Sequence, residues 1–276
     1  MKTQITLLIC LVMALSNQLF AQKRIEPVKK EPLIIGERIE IESEILEQTR
    51  VLNIYLPNGY SPDSLKTYPV IYLLDGSIHE DFLHIAGLVQ FSSYPWLEKM
   101  PECIVVGISN INRYHDFTYP SEKEEYQEIN PLNGGSAKFI DFLELEVKPQ
   151  VNKLYKASET STIIGQSLGG LIATEILFKK PNLFENYIIV SPSLWWDDES
   201  LLQMQPTKYT TQKNIFIAVG KEGKIMKSVA KKLNKKLLKE KESNTNINFQ
   251  YFPELDHGDA LHLAVYEAFD KIFSTK

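Results

Sequence analysis

Residues Thr162-Ile163-Ile164-Gly165-Gln166-Ser167-Leu168-Gly169-Gly170-Leu171-Ile172 constrain this chain more than any other stretch. An apolar, β-branched run meets Gly-x-Ser-x-Gly, and a helix-like run from Leu168 to Lys180 follows without a break. This pattern predicts a strand, a sharp turn and a helix, with Ser167 held at the turn as in a nucleophile elbow. The bend strains the backbone, and side chains at Gly165 or Gly169 are expected to collide with the adjoining strand or helix. The pentapeptide alone recurs by accident in unrelated chains, so its weight comes from the strand before it, the helix after it and the ionisable residues downstream.

The rest of the chain supplies a frame for that turn. Arg38 to Ile45 and Arg50 to Leu56 alternate apolar with polar residues and read as an antiparallel pair at one edge of a sheet. Tyr68 to Gly76, Cys103 to Ser109, Tyr187 to Val190, Ile215 to Val219 and Ile247 to Phe252 read as further strands, the central ones nearly continuous in apolar residues. Helical spacing lies between them, around Phe82 to Leu97, Phe139 to Tyr155, Asp197 to Gln205, Lys221 to Lys241 and Asp259 to Phe273. Asn110 to Gly135 reads as a long irregular stretch. This alternation predicts one α/β domain over residues 38–276, with a mostly parallel central sheet and helices on both faces. In the Lys221 to Lys241 segment, Ile225, Val229, Leu233 and Leu237 recur every four residues, the mark of an amphipathic helix with a solvated lysine face.

Bulk properties exclude some classes of function. The 276 residues carry a net charge of −5, which argues against nucleic acid as the main partner. Lys2, the apolar run Ile5 to Leu15 and Leu19-Phe20-Ala21 form a signal peptide over 1–21. Its apolar run is about half the length of the roughly 20 residues that a spanning helix needs. The mature chain is therefore expected to begin near Gln22, exported to the periplasm or secreted, with no membrane insertion after cleavage. Residues 22–37 form a flexible lead-in. Loss of Cys10 leaves Cys103 as the one cysteine, in an apolar strand where it reads as a small core residue.

Ligand sites in such sheets lie at the carboxyl ends of the strands. Here those ends carry Asp75-Gly76-Ser77, Ser109-Asn110, Ser167, Ser191-Pro192-Ser193, Gly220-Lys221-Glu222 and Asp256-His257-Gly258. A serine hydroxyl needs a neighbouring base to attack at neutral pH, and histidine suits that role. Of five histidines only His257 sits in the loop after the last strand. Glu222 ends a strand and is the candidate acid that orients it; Asp197, Asp198 or a dyad without an acid are the alternatives. An oxyanion would be met by the N–H of Leu168 and by a second amide from Gly76, Ser77 or Ile78, with Ser77 the choice. No metal-ligand spacing and no phosphate-binding loop appears, so neither metal nor cofactor is expected.

Tyr72-Leu73-Leu74-Asp75-Gly76, Gly165 to Leu171, Ser191-Pro192-Ser193-Leu194-Trp195-Trp196 and His257-Gly258 together resemble an esterase family of the α/β-hydrolase superfamily. It includes esterase D, the ferric-enterobactin esterases and several feruloyl and acetyl-xylan esterases. The Ser-Pro-Ser-x-Trp-Trp element and Gly134-Gly135 to Phe139 resemble its siderophore-esterase, exported branch most. The resemblance implies carboxyl-ester hydrolysis through Ser167, Glu222 and His257. It also suggests that Arg113 meets an anionic or catecholate part of a substrate, where the plain alternative is an arginine paired with Asp116 or Glu122. Trp195 and Trp196 are expected to divide between an aromatic wall and the core. Gln166 stands where many relatives have histidine, and Asp259 where many have serine. The expected substrate is a small-molecule ester such as a siderophore trilactone, with a glycan-linked feruloyl or acetyl ester or an acyl transfer as alternatives. A binding protein without catalysis is the rival from another class.

Overall fold

In the computed structural model of the protein the sheet begins with β1 (Glu37–Ser43) and β2 (Gln48–Tyr55), which pair antiparallel. On β1, Ile39 and Ile41 turn inward while Glu40 and Glu42 stay exposed, as period-two alternation requires. The strands β3 (Tyr68–Leu73), β4 (Ile104–Ile108), β5 (Ala157–Gln166), β6 (Asn186–Val190), β7 (Lys213–Gly220) and β8 (Thr245–Phe252) follow. The sheet order is β1-β2-β4-β3-β5-β6-β7-β8, and every pair from β4 to β8 is parallel. All residues of β4 and β6 are buried, so their continuous apolar runs face helices on both sides. The structure describes residues 27–129 and 131–274. Residues 35–276 form one unit, and of the preceding unit the described residues 27–34 carry neither helix nor strand. The signal segment 1–21 and residues 22–26 of the lead-in lie outside the described residues.

Helices cover both faces. Helix α1 (Phe82–Ser92) buries Phe82, Ile85 and Val89 on one face. Further along the chain come α2 (Arg113–Phe117), α3 (Glu124–Ile129), α4 (Ser136–Phe142), a π-helical turn (Leu143–Val147) and α5 (Lys148–Leu154). Then α6 (Leu168–Lys179), α7 (Trp196–Gln203), α8 (Gly223–Glu240) and α9 (Ala260–Phe273) complete the set. Helix α9 packs with α1, while α4, α6 and α8 bury their apolar residues on the opposite face. Helix α8 buries Val229, Leu233 and Leu237 and exposes Ile225. Among the described residues no helix is long and apolar enough to cross a membrane.

Three segments depart from the sequence reading. The Phe139 to Tyr155 helix is interrupted by the π turn, directly before Pro149, which has no N–H to offer the carbonyl of Leu145. Asn110 to Gly135 is not wholly irregular, because it holds α2 and α3. Both helices are shorter than two turns, too short for periodicity, and α2 is started by Asn112, whose side chain accepts from the His115 amide. Helix α7 opens on Asp197, Asp198 and Glu199, all at left-handed φ of 50°, 52° and 62°. Each such residue costs roughly 1–2 kcal/mol. Ser121 donates to Asp197 at 2.7 Å, Lys123 grips Asp198, and Lys232 holds Glu199 at 2.6 Å.

Among the described residues one ion pair lies fully inside. Arg50 on β2 and Asp116 on α2 are 1% and 2% exposed and meet at 2.7 Å, with the guanidinium also lying over Phe139 and Phe142. Cys103 is buried, and burial pushes its thiol well above the ordinary value. Replacing Asp116 by Ala strands a buried cation and should lower unfolding free energy by about 3–5 kcal/mol. Urea denaturation measures this, and a loss below about 1 kcal/mol would mean that water reaches Arg50.

Candidate active site

Strand β5 leads straight into the turn. Ser167 has φ 60° and ψ −118°, a conformation that L residues rarely adopt. Its amide donates to the Val190 carbonyl at 3.0 Å, and its own carbonyl accepts from Leu171 at 2.9 Å and Ser193 at 3.0 Å. A Cβ on Gly165 would stand 2.3 Å from the Gly169 carbonyl oxygen, so no side chain fits there. The expectation for Gly169 needs correction: a Cβ there would meet Asp75 Oδ2 at 3.3 Å, a squeeze and not a backbone collision. Gly170 is the tighter site, with a Cβ 2.9 Å from Pro192 Cα.

Glu222 follows β7 and stands at the start of α8, and His257 follows β8. The Nδ1 of His257 and Glu222 Oε2 are 2.5 Å apart. The other oxygen, Oε1, accepts from the Gly220 amide at 2.7 Å and from the Ser191 hydroxyl. The acid is buried, with 2% of its side chain exposed, while His257 is 48% exposed. Burial alone would push the Glu222 carboxyl up, but the hydrogen bonds from His257, Ser191 and Gly220 outweigh it and hold the carboxyl below its ordinary value. Asp197 and Asp198 are engaged with Ser121 and Lys123, and Asp256 Oδ1 accepts from the Gly258 amide at 2.8 Å. Gln166, the residue beside the serine, donates its side-chain amide to the His257 carbonyl at 2.5 Å and so ties the histidine loop to the elbow. Asp259 occupies the N-cap of α9 without a side-chain capping bond.

The Ser167 hydroxyl pairs with the Ser193 hydroxyl at 3.2 Å. Both serines of Ser191-Pro192-Ser193 therefore serve the site, one on the acid and one on Ser167. Sequence reading placed them at a strand end without giving either a task. Their signal was that position, which only the pairing of β6 with β5 and β7 turns into contacts.

Leu168 is the first residue of α6, so its amide has no acceptor inside the helix. In the turn after β3, the Gly76 amide donates to Ile108 O at 3.0 Å and the Ser77 amide to Glu80 Oε2 at 3.1 Å. An oxyanion at Ser77 would have to displace that carboxylate, whereas the Ile78 amide has no partner among the described residues. Arg113 pairs with neither Asp116 nor Glu122. Its Nε and Nη2 grip Asp75 at 2.6 and 2.9 Å, and Nη2 also donates to the Gln166 carbonyl at 3.2 Å. Trp196 is fully buried and donates to the Tyr119 carbonyl at 3.0 Å. Trp195 is half-buried and stacks on Tyr126, with centroids 6.3 Å apart. Among the described residues no three His, Cys, Asp or Glu side chains converge as metal ligands.

A mostly parallel sheet with a strained serine between β5 and α6, and an acid and a histidine at later strand ends, is an α/β-hydrolase. The family model described as "Putative esterase" matches residues 43–268, and the chain belongs to that family. The ferri-bacillibactin esterase of Bacillus subtilis is 30% identical over 192 residues, which are 63% of this chain and 66% of that protein. The siderophore triacetylfusarinine C esterase of Aspergillus fumigatus is 35% identical over 161 residues, 52% of this chain and 51% of that one. A crystal structure of an IroE-like serine hydrolase from Shewanella oneidensis superposes with a TM-score of 0.76 at 30% identity, covering 86% of this chain and 80% of its own. Fold and family are those of serine hydrolases that act on ester bonds.

The Glu222 carboxyl titrates below its ordinary 4.5 in the folded chain, so it stabilises the fold above about that pH. The contribution disappears as pH falls through the lower folded value. Glu222→Gln should flatten this part of the stability curve when thermal unfolding is followed below about pH 4.5. An acid limb as steep as in the parent would assign the slope to other carboxylates.

Proposed function

We propose that the protein is a serine carboxylesterase that opens the ester bonds of a siderophore through Ser167, His257 and Glu222. The observation that carries the reading is the Glu222–His257 hydrogen bond at 2.5 Å, formed beside an elbow serine at the carboxyl edge of the sheet. In the reaction Ser167 Oγ attacks the acyl carbon while His257 Nε2 takes its proton. Glu222 holds the other ring nitrogen and stabilises the imidazolium. The Leu168 amide and an amide of the Gly76–Ile78 turn receive the oxyanion. The protonated histidine then passes its proton to the departing alcohol, leaving an acyl-enzyme. Water, activated by the same histidine, releases the carboxylic acid and restores Ser167.

The siderophore assignment is supported by the names of the two esterase relatives, both of which cleave siderophore esters. It is supported also by the half-buried Trp195, two residues beyond Ser193, as a flat apolar wall for an aromatic acyl group. The apolar segment within residues 1–21, read as a signal peptide, supports action outside the cytoplasm.

Ser167→Ala should lower kcat by on the order of 10⁴–10⁶. The assay uses p-nitrophenyl butyrate, ferri-bacillibactin, an enterobactin-type trilactone, and feruloylated and acetylated xylan on one preparation. Turnover of the trilactones far above the glycan esters is the expected ranking. The reverse ranking would move the substrate class to plant glycans, and an unchanged Ser167→Ala rate would end the serine mechanism.

A further inference from the structure

The Nε–Nη2 edge of Arg113, the edge that would take a carboxylate side-on, is already occupied within the protein. Nε and Nη2 are taken by the two oxygens of Asp75 and by the Gln166 carbonyl, which leaves Nη1 as the donor not engaged among the described residues. We propose that Arg113 is a positioning residue, which sets the loop after β3 against the nucleophile by holding Asp75 and Gln166 in one planar group. The inference rests on the esterase reading above and reassigns the arginine within it.

Three neighbouring strands of the sheet, β4, β3 and β5, converge on this guanidinium. From the end of β3 comes Asp75, whose own backbone is left-handed at φ 54° and which is followed at once by the turn Gly76-Ser77-Ile78. From beyond β4 come Arg113 and Asn110, the latter donating to Asp75 Oδ1 at 2.6 Å and to Glu80 Oε1 at 3.1 Å. From β5 comes Gln166, whose peptide bond leads into Ser167. That peptide is fixed at both ends, its carbonyl by Arg113 and its N–H by Val190 O. The orientation of the peptide helps to set φ of Ser167, so the arginine acts on the nucleophile and on the turn at once. The absence of a side chain at Gly169 leaves room for Asp75 Oδ2 beside the first turn of α6.

The chemistry of the contact requires arginine. Two parallel bonds to a carboxylate and a third to a carbonyl need a rigid fork, and a lysine ammonium is a single point charge. A substrate anion at the Nε–Nη2 edge of Arg113 would have to displace Asp75, which is only 12% exposed and would keep its own charge in the site. Misplacement of catalytic groups by about 1 Å can cost on the order of 10²-fold in rate. A loosened clamp is therefore felt in kcat on any ester, charged or neutral.

The test uses Arg113→Met, Arg113→Lys, Asp75→Asn and the double variant Arg113→Met/Asp75→Asn in the full chain. p-Nitrophenyl butyrate serves as the neutral ester and a ferric catecholate trilactone as the anionic one. Folding is checked by circular dichroism, and Arg113→Lys with Asp75→Asn carries the test if Arg113→Met does not fold. Arg113→Met should lose about 10–100-fold in kcat on the neutral ester with KM within about 2-fold, and labelling of Ser167 by a fluorophosphonate should slow by a similar factor. Arg113→Lys should recover part of the loss, and the double variant should be no slower than the worse single one, as for two residues of one unit. A full kcat on the neutral ester, with KM raised only for the anionic ester, would overturn the proposal and make Arg113 a substrate contact. Multiplying losses in the double variant would also overturn it. A parent protein inert toward both esters would sink the esterase reading, and the clamp with it.

Discussion

The backbone of Ser167 is the constraint on which the other parts depend. A non-glycine residue at φ 60° and ψ −118° costs about 1–3 kcal/mol and persists only where its surroundings determine it. Here they do so through the sheet. Strand β6 supplies the Val190 carbonyl to the Ser167 amide, and the segment after β6 returns the Ser193 amide to the Ser167 carbonyl. Gly165 and Gly170 allow the close approaches that these bonds demand, to Gly169 and to Pro192. The strain is therefore borne by β5 and β6 together, and the serine side chain is left projecting from the edge.

The same edge separates rigid from adjustable parts. Glu222 is buried and receives hydrogen bonds from a strand-end amide, a hydroxyl and an imidazole, so its charge is stabilised before any substrate arrives. His257 is half exposed and sits on a loop, secured through its backbone by Gln166 and through Nδ1 by Glu222. Glu222 past a strand end and His257 on a short loop thus give one buried, fixed group and one that is half exposed. Gln166 suits this arrangement, since its side chain reaches the histidine loop while its carbonyl faces Arg113.

Much of this was legible in the sequence, for reasons that can be stated residue by residue. The strands of the parallel part are short apolar runs, and the elbow joins one such run to a helix across two glycines. Ser167, Glu222 and His257 could be chosen because each lies just past a strand, and that placement depends only on local pattern. The partner of Arg113 could not be read. Asp75 lies 38 residues earlier, and the choice between it and the nearer Asp116 turned on Arg50, which takes Asp116 across the sheet edge. The left-handed run at Asp197 to Glu199 was hidden likewise. Acidic residues in a first helical turn are a normal helix signal, and only contacts from Ser121, Lys123 and Lys232 bend them away from it.

Those contacts bear on how substrate recognition is joined to the chemistry. The segment between β4 and β5 carries Tyr119, Ser121, Lys123 and Tyr126, and all four reach the Trp195 to Ser200 segment after β6. Tyr126 stacks on Trp195 while its hydroxyl donates to the Trp195 carbonyl at 3.1 Å, and Trp196 anchors the pair from the core. The wall beside Ser193 is thus built from two inserted segments bound to each other, with the left-handed turn as the strained piece that aims it. The elbow, the acid and Asp75 sit just past strand ends that the sheet fixes, while Arg113 reaches Asp75 from the β4–β5 segment. The two sets of contacts meet along Ser191-Pro192-Ser193 and again at Arg113, which belongs to the same β4–β5 segment as Tyr119 and Tyr126 and holds the Gln166 carbonyl, so the inserted segment and the peptide before Ser167 are joined.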